Sequence, residues 1–183
     1  MEVVLTDGNE PIGNGIGPVL EMNDVIKVLM QKENKPIDLE KKAIFLAGKI
    51  FELSKISKEK EGEKLARQIL SSGKAFKKFE EIIKAQGGEI KPLIPAKFKK
   101  NIFAKKSGRI CEIKNKEINL LGRIAGCPVD KRAGLYLYFH VKDKVKKGQK
   151  ILTIYSESKS RLNDAIKLYK EKAPIKIKSS FLF

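Results

Sequence analysis

Residues 2–21, which read EVVLTDGNEPIGNGIGPVLE, decide how the fold begins. The apolar run Val3–Leu5 predicts a strand. Glycines follow at positions 8, 13, 15 and 17, and glycine lets a backbone take positive φ or press closely against a ligand or ion. Pro18 has the φ of a first helical residue. The opening therefore predicts a strand, a backbone-lined loop and a helix N-terminus.

Two nucleotide-binding motifs do not fit this opening. A dinucleotide fingerprint needs G-x-G-x-x-G inside a βαβ unit, whereas Gly13, Gly15 and Gly17 are spaced G-x-G-x-G and helices follow. No Gly-Lys-Ser/Thr completes a P-loop. Glu21 and Asp24 lie at i and i+3 on one helix face, where they either hold a hard cation or compensate the positive helix end. From spacing alone, the second interpretation is favoured.

The positive charge of the chain is strongly asymmetric. Residues 1–94 have a net charge of +1 and residues 95–183 a net charge of +16, out of +17 in total. Such a field attracts polyanions and small phosphorylated solutes. Lysines that only solvate the surface are the favoured explanation, because the basic half has no zinc-finger spacing or aromatic-plus-basic RNA signature. A nucleic-acid-binding module is the alternative.

Four helices are predicted after the opening loop. Asp38 is a candidate cap for the second, whose apolar stripe of Leu39, Ala43, Leu46, Ile50 and Leu53 has the period of one helix face. Composition changes at residues 90–95, where the domain boundary is predicted. Beyond it, strands are expected at 107–113, 133–141, 150–155 and 175–177, and helices at 115–125 and 160–172.

Cysteine and histidine usage gives few chemical leads. Cys111 and Cys127 are expected to be reduced and buried in a cytoplasmic protein. His140, the only histidine, is expected to be packed or at a rim, because no serine or carboxylate stands in triad order. Met1 precedes no signal-peptide pattern, and no apolar run has the length of a membrane span.

The turn at residues 141–149 is similar to that of biotinyl and lipoyl carrier domains. Those carriers present a modified lysine on the hairpin that follows, and Lys159 stands near that place. Its neighbours are serines, and the chain from Arg161 onward predicts a helix. A shared shape without carrier chemistry is therefore the expectation.

Three blocks together resemble the pyrimidine nucleoside phosphorylases. Residues 6–21 are similar to the family's T-D-x-x-Q-P-[LI]-G…G-x-x-L-E segment, and residues 69–88 to its SGKA…F…AQGG helix pair. Ser107-Gly108 and residues 134–148 resemble its C-terminal domain. Residues 125–131 and 154–158 look most like the archaeal branch of AMP phosphorylases, once labelled thymidine phosphorylases.

The resemblance implies a glycosyl transfer in which phosphate displaces the base from C1 of the ribose. The substrates would be phosphate and a nucleoside 5′-monophosphate or a nucleoside, with no organic cofactor, no membrane and a homo-oligomeric enzyme. The family's phosphate loop, G-H-T-G-G-T-x-D-K, has no counterpart in these 183 residues. The chain is therefore expected to be the C-terminal portion of an enzyme and inactive alone.

One family site maps onto this sequence. Some bacterial members bind potassium through backbone oxygens at positions matching Ile12 and Gly15 and through a carboxylate matching Asp24. The resemblance thus implies a possible K⁺ site, although Asp24 replaces the family's longer glutamate. Glu10 replaces the usual glutamine, with no effect that the sequence defines.

The combined prediction is an α+β chain of two parts. Residues 1–94 would be the mostly helical, C-terminal part of a phosphorylase α/β domain. Residues 95–183 would be an α/β-hammerhead C-terminal domain. An apolar face on residues 1–30 would then be left uncovered and favour self-association.

Overall fold

The computed structural model describes residues 2–179. Within that range the chain forms six helices and seven strands. The helices are α1 Pro18–Leu29, α2 Ile37–Leu53, α3 Gly62–Ser71, α4 Lys74–Ala85, α5 Asn115–Ala125 and α6 Lys159–Lys172. The strands are β1 Gly15–Ile16, β2 Phe98–Phe103, β3 Gly108–Ile113, β4 Gly134–Leu137, β5 Lys144–Val145, β6 Lys150–Ser156 and β7 Ile175–Lys178. None of these helices is both long and apolar enough to cross a bilayer.

The chain divides into two compact units. The first comprises the chain through Thr6 together with Asp24–Pro92, and the second comprises Asp7–Asn23 together with the chain from Leu93 onward. The division falls within α1. The predicted domain assignment, 1–94 and 95–183, stays a prediction about the complete protein.

The first unit is helical, and its core lies between α1, α2 and α3. Val28, Ile44, Ala66 and Leu70 are its buried apolar residues. The backbones of α2 and α3 approach so closely that a Cβ on Gly62 would lie 2.1 Å from the carbonyl oxygen of Gly48. Glycine at this crossing lets two helices touch main chain to main chain.

The apolar stripe of α2 is mostly not the face that packs inside the first unit. Ala43, Leu46, Ile50 and Leu53 are exposed, whereas Ile44 and Gly48 are buried. The helix packs through Ile44, Ala47 and Phe51, together with Leu39 of the stripe. Asp38 also lies in the first turn of α2, where its charge suits the helix dipole, and Pro36 occupies the cap position.

The second unit contains two antiparallel sheets with α5 and α6. The four-stranded sheet has the order β1-β4-β6-β2 and the three-stranded sheet the order β5-β3-β7. One core joins both sheets and the two helices, and Ile118, Leu135, Leu137, Leu152 and Ile154 are completely buried in it. The prediction of an α+β fold, helical first and mixed afterwards, is confirmed.

Several strands differ from the prediction. The strand expected at 133–141 ends at Leu137, and the short strands β1 and β5 were not predicted. Val3–Leu5 forms no strand in the described residues, and no strand ladder there includes it. Strand β2 was missed, because its sequence FKKNIF lacks apolar alternation. It forms nonetheless through pairing with β6.

Candidate functional site

The opening loop, residues 7–17, is joined to strand β4 of the same unit through its own backbone. Gly15 and Ile16 pair with Tyr136 and Leu135 of β4. The Leu137 N–H donates to the Asn14 carbonyl at 2.7 Å. The loop therefore extends the four-stranded sheet at its edge.

The loop glycines serve this packing. A Cβ on Gly15 would lie 2.4 Å from the backbone of Leu20, and one on Gly17 would lie 2.6 Å from the Ala133 carbonyl oxygen. Gly17 also has φ of +113°, which side chains with a Cβ rarely adopt. The expected close approach of the backbone is real at both positions, and the atoms approached belong to the chain itself.

Glu10 connects the loop to the segment after β4. Its Oε2 accepts a hydrogen bond from the Val141 N–H at 3.0 Å and lies 3.2 Å from His140 Nδ1. His140 Nε2 lies 3.1 Å from Asn14 Oδ1. Asn14 in turn donates from Nδ2 to the Tyr136 hydroxyl at 3.3 Å.

This cluster defines what His140 does. Both ring nitrogens contact the opening loop, so the residue is the half-buried histidine that the sequence predicted. Glu10 stands where the family has glutamine, and the sequence defined no effect of this change. In the structure its carboxylate contacts both the Val141 N–H and the His140 imidazole. The cluster positions the loop, and neither nitrogen of His140 is left for a substrate.

Glu21 caps the N-terminus of α1. Its Oε1 accepts the Gly17 N–H at 2.9 Å, and its own N–H donates to the Gly17 carbonyl at 2.9 Å. This agrees with the favoured interpretation of that carboxylate as compensation of the helix end. A groove of about 360 Å³ lies beside this helix end, with Asn119 and Arg123 of α5 on its wall. The cap already occupies the Gly17 donor that an anion in this groove would use.

Asp24 is the one buried acidic residue among those the structure describes. Its carboxylate Oδ1 lies 2.9 Å from Lys27 Nζ, one helical turn further along α1. A buried carboxylate is costly unless a cation or hydrogen-bond donors compensate it. Lys27 supplies such a cation from the same helix.

The residues of the implied potassium site lie in different units. Ile12 and Gly15 belong to the second unit and Asp24 to the first. Residues 2–179 hold no group of three His, Cys, Asp or Glu side chains suited to a metal. Potassium binding through backbone oxygens is a different chemistry, and it stays a prediction.

The two cysteines differ from each other. Both thiols are free, but Cys111 is exposed, so its predicted burial is wrong, and Cys127 is partly buried. Burial raises the pKa of the Cys127 thiol, and the nearby Glu21 carboxylate raises it further. Cys127 is therefore held as a neutral thiol.

Sequence analysis missed a polar row on the four-stranded sheet. The Tyr138 hydroxyl lies 3.1 Å from Thr153 Oγ1, which donates to Asn101 Oδ1 at 2.8 Å. Lys150 Nζ lies 4.3 Å from the centre of the Tyr138 ring. Burial raises the pKa of Tyr138, but the bond to Thr153 and the Lys150 ammonium outweigh it, and the net pKa is lowered. The sequence does not indicate this row, because an aromatic residue next to a strand carries no local sign of such partners.

Lys159 occupies no hairpin tip. It is the first residue of α6, with its Nζ 5.5 Å from the Phe98 ring centre. Ser158 caps the helix by accepting the Arg161 N–H. This agrees with the expected helix and gives no support to a carrier lysine.

Comparison with known proteins identifies the relatives of the chain. Residues 110–176 match the family described as the pyrimidine nucleoside phosphorylase C-terminal domain. A protein named AMP phosphorylase from Pyrococcus abyssi is 44% identical over 186 residues, which cover the whole chain and 37% of the relative. A putative thymidine phosphorylase from Legionella pneumophila strain Corby is 42% identical over 175 residues, covering 96% of the chain and 34% of the relative.

A third relative, named AMP phosphorylase in Methanocaldococcus jannaschii, is 40% identical over 99% of the chain and 37% of its own length. The chain thus spans about a third of the length of the curated relatives it matches. The similarity includes the helical first unit as well as the matched domain. The chain is therefore similar over its whole length to proteins named AMP phosphorylase and putative thymidine phosphorylase, and its residues 110–176 match the pyrimidine nucleoside phosphorylase C-terminal domain.

Proposed function

We propose that this chain is part of an AMP phosphorylase-like enzyme that converts AMP and phosphate to adenine and ribose 1,5-bisphosphate. Thymidine or another pyrimidine nucleoside is the alternative substrate, as the name of the Legionella relative suggests. The observation that carries the proposal is 44% identity to an AMP phosphorylase across the whole chain. The complete enzyme is proposed to be a homo-oligomer.

The reaction sets requirements that can be compared with these residues. A phosphate oxygen attacks C1′ of the ribose while the C1′–N bond breaks, and its electron pair leaves with the base, which takes up a proton. The enzyme therefore needs donors for the phosphate and an acid near the base. His140 is engaged by Glu10 and Asn14, and the family's phosphate loop has no counterpart in the sequence. The chain is proposed to support the catalytic cleft and to be inactive alone.

A chimera tests this function. The segment of the P. abyssi AMP phosphorylase that aligns with this chain is replaced by the chain itself, and adenine release from AMP is measured with and without phosphate. Phosphate-dependent release is expected, and none from the isolated chain. A folded chimera that cleaves neither AMP nor thymidine would contradict the proposed reaction. Robust adenine release by the isolated chain would contradict its inactivity alone.

Potassium binding by Ile12, Gly15 and Asp24 belongs to the same proposal. The chemistry of Asp24 supports it, because a buried carboxylate oxygen is a suitable ligand for a hard cation. Potassium would supply positive charge that holds this part of the chain in place. Lys27 competes for the same carboxylate, so the native chain is expected to depend only weakly on potassium.

A second candidate function, nucleic-acid binding, rests on the outer face of the three-stranded sheet. Arg109 of β3 stands directly opposite Lys144 of β5 on one side and Lys178 of β7 on the other. All three side chains are exposed. Like charges placed opposite each other destabilise a sheet, and phosphates of a nucleic-acid backbone would relieve that repulsion.

Anisotropy of a labelled RNA duplex tests this second candidate. The double variant Arg109→Glu/Lys144→Glu is expected to weaken binding at least about 10-fold and to reduce the slope of log K against log salt by about 2. The matched control, Lys77→Glu/Lys84→Glu on α4, changes the net charge equally. Equal losses in the two variants, or no binding at about 0.1 M salt, would identify the lysines as ordinary surface.

A further inference from the structure

Helix α2 has two apolar faces. An α-helix turns by about 100° per residue, so Ile44 and Leu46, or Gly48 and Ile50, point about 200° apart. The face with Ile44 and Gly48 packs inside the first unit. The opposite face carries Ala43, Leu46, Ile50 and Leu53, which we call the outer α2 stripe.

The outer α2 stripe is unusually exposed for such residues. Ile50 is 62% exposed and Leu53 is 55% exposed. Single exposed apolar residues are ordinary, but several on one helix face mark an interaction surface. The spacing of three, four and three residues is the period of a helix face that packs against a neighbour.

A second apolar element of the same unit is also uncovered. Val3 and Leu5 are 73% and 95% exposed, and the strand ladders of the described residues leave this segment unpaired. β-Branched and apolar residues in an unpaired segment favour addition to a sheet edge. Glu2 places the start of this segment beside α2, since its carboxylate lies 3.0 Å from Lys49 Nζ.

We propose that the outer α2 stripe and Val3–Leu5 together form the docking surface for the polypeptide equivalent to the other two-thirds of the phosphorylase relatives. This inference rests on the proposed function. The relatives carry the equivalent of these residues in proteins nearly three times as long. Surplus apolar surface is expected where the rest of such a protein packs. The occupant therefore presents an apolar face to the stripe and a strand edge to Val3–Leu5.

A site-specific crosslink identifies the occupant directly. The photoreactive residue p-benzoylphenylalanine replaces Ile50 in the P. abyssi chimera, and mass spectrometry locates the crosslinked peptide. The matched control replaces Lys41, which is exposed on the same helix and lies nine residues away, on the opposite side. We expect crosslinks from position 50 to the P. abyssi portion of the same polypeptide. They should be at least about 10-fold more abundant than crosslinks from position 41.

Crosslinks from position 50 to another copy of the transplanted segment would overturn the proposal, since the stripe would then be an interface between copies. Crosslinks equally abundant from positions 41 and 50 would overturn it as well. The crosslink reports contact and not activity. A chimera that crosslinks as expected but cleaves no AMP would therefore contradict the proposed reaction and leave the docking surface supported.

A second measurement uses the isolated chain and needs no chimera. The variant Ile50→Glu/Leu53→Glu is expected to keep the melting temperature within about 2 °C, because no internal packing is lost, and to reduce self-association at least about 10-fold in light scattering. A melting temperature lowered by about 8 °C or more would show that the stripe belongs to the internal core of the chain and would overturn the proposal.

Discussion

Removing the Glu10 carboxylate should release the opening loop from the segment that follows β4. Glu10→Ala leaves the Val141 N–H without its acceptor at 3.0 Å and His140 without its 3.2 Å contact. A hydrogen bond to a charged group contributes about 1.5–3 kcal/mol. Because the Glu10 side chain is about a quarter exposed, we expect a loss of about 2 kcal/mol in the free energy of local opening.

Amide hydrogen exchange measures this local free energy. A loss of about 2 kcal/mol corresponds to roughly 30-fold faster exchange. The effect should appear at Val141 and at Leu137, whose N–H donates to the Asn14 carbonyl of the loop. Exchange in α2, in the other unit, should be unchanged.

Two further variants make the Glu10 prediction specific. Glu10→Gln retains an oxygen that can accept the Val141 N–H, so it should lose less than half as much protection. Glu89→Ala removes an ion pair with Lys91 in which both side chains are 70% exposed, and it should change nothing measurable. Unchanged exchange at Val141 in Glu10→Ala would refute the role assigned to Glu10.

Three other predictions concern single residues. Lys27→Met removes the ammonium group that lies beside the buried Asp24 carboxylate and should lower the free energy of unfolding by about 3 kcal/mol. The melting temperature of this variant should then be higher in potassium chloride than in tetramethylammonium chloride. Equal melting temperatures in the two salts would count against the potassium site. Burial raises the pKa of Tyr169 to about 12, so the stability due to its neutral form is present below pH 10 and is lost as the pH rises to 12. Between these two pH values, denaturant unfolding should show that Tyr169→Phe loses about 2–3 kcal/mol less stability than the native chain. Equal losses of stability in the two proteins would refute the assignment. Gly62→Ala puts a Cβ 2.1 Å from a backbone oxygen of α2 and should cost about 2 kcal/mol or more in thermal unfolding, whereas Gly8→Ala, with no atom within 4 Å of its Cβ, should cost far less.

Local patterns predicted the elements whose partners lie within the chain. Helix α5 has the predicted bounds, 115–125, because Ile118 and Leu121 fall on one face and that face meets the core. Strand β3 likewise follows from its alternation. In both elements the face that the pattern indicates is the face that the folded chain buries.

Interactions between distant residues left no local signal. Glu10 and His140 are 130 residues apart, and nothing near either residue indicates the other. Strand β2 has two lysines in its middle, yet it forms because β6 offers backbone partners. Register across strands also created the row Lys144–Arg109–Lys178, which a count of charges along the sequence cannot show.

The stripe on α2 and the glycine loop show the same limit of local sequence patterns. A regular apolar period indicates that a helix face is covered, and a glycine indicates that another group approaches closely. Neither pattern indicates which group the neighbour is. At Gly17 the neighbour is the Ala133 carbonyl of the same chain. Ile50 and Leu53 are each more than half exposed, although their period is as regular as that of a core helix. The exposed stripe on α2 has the period of a packed face, and this period is why a docking surface is proposed there.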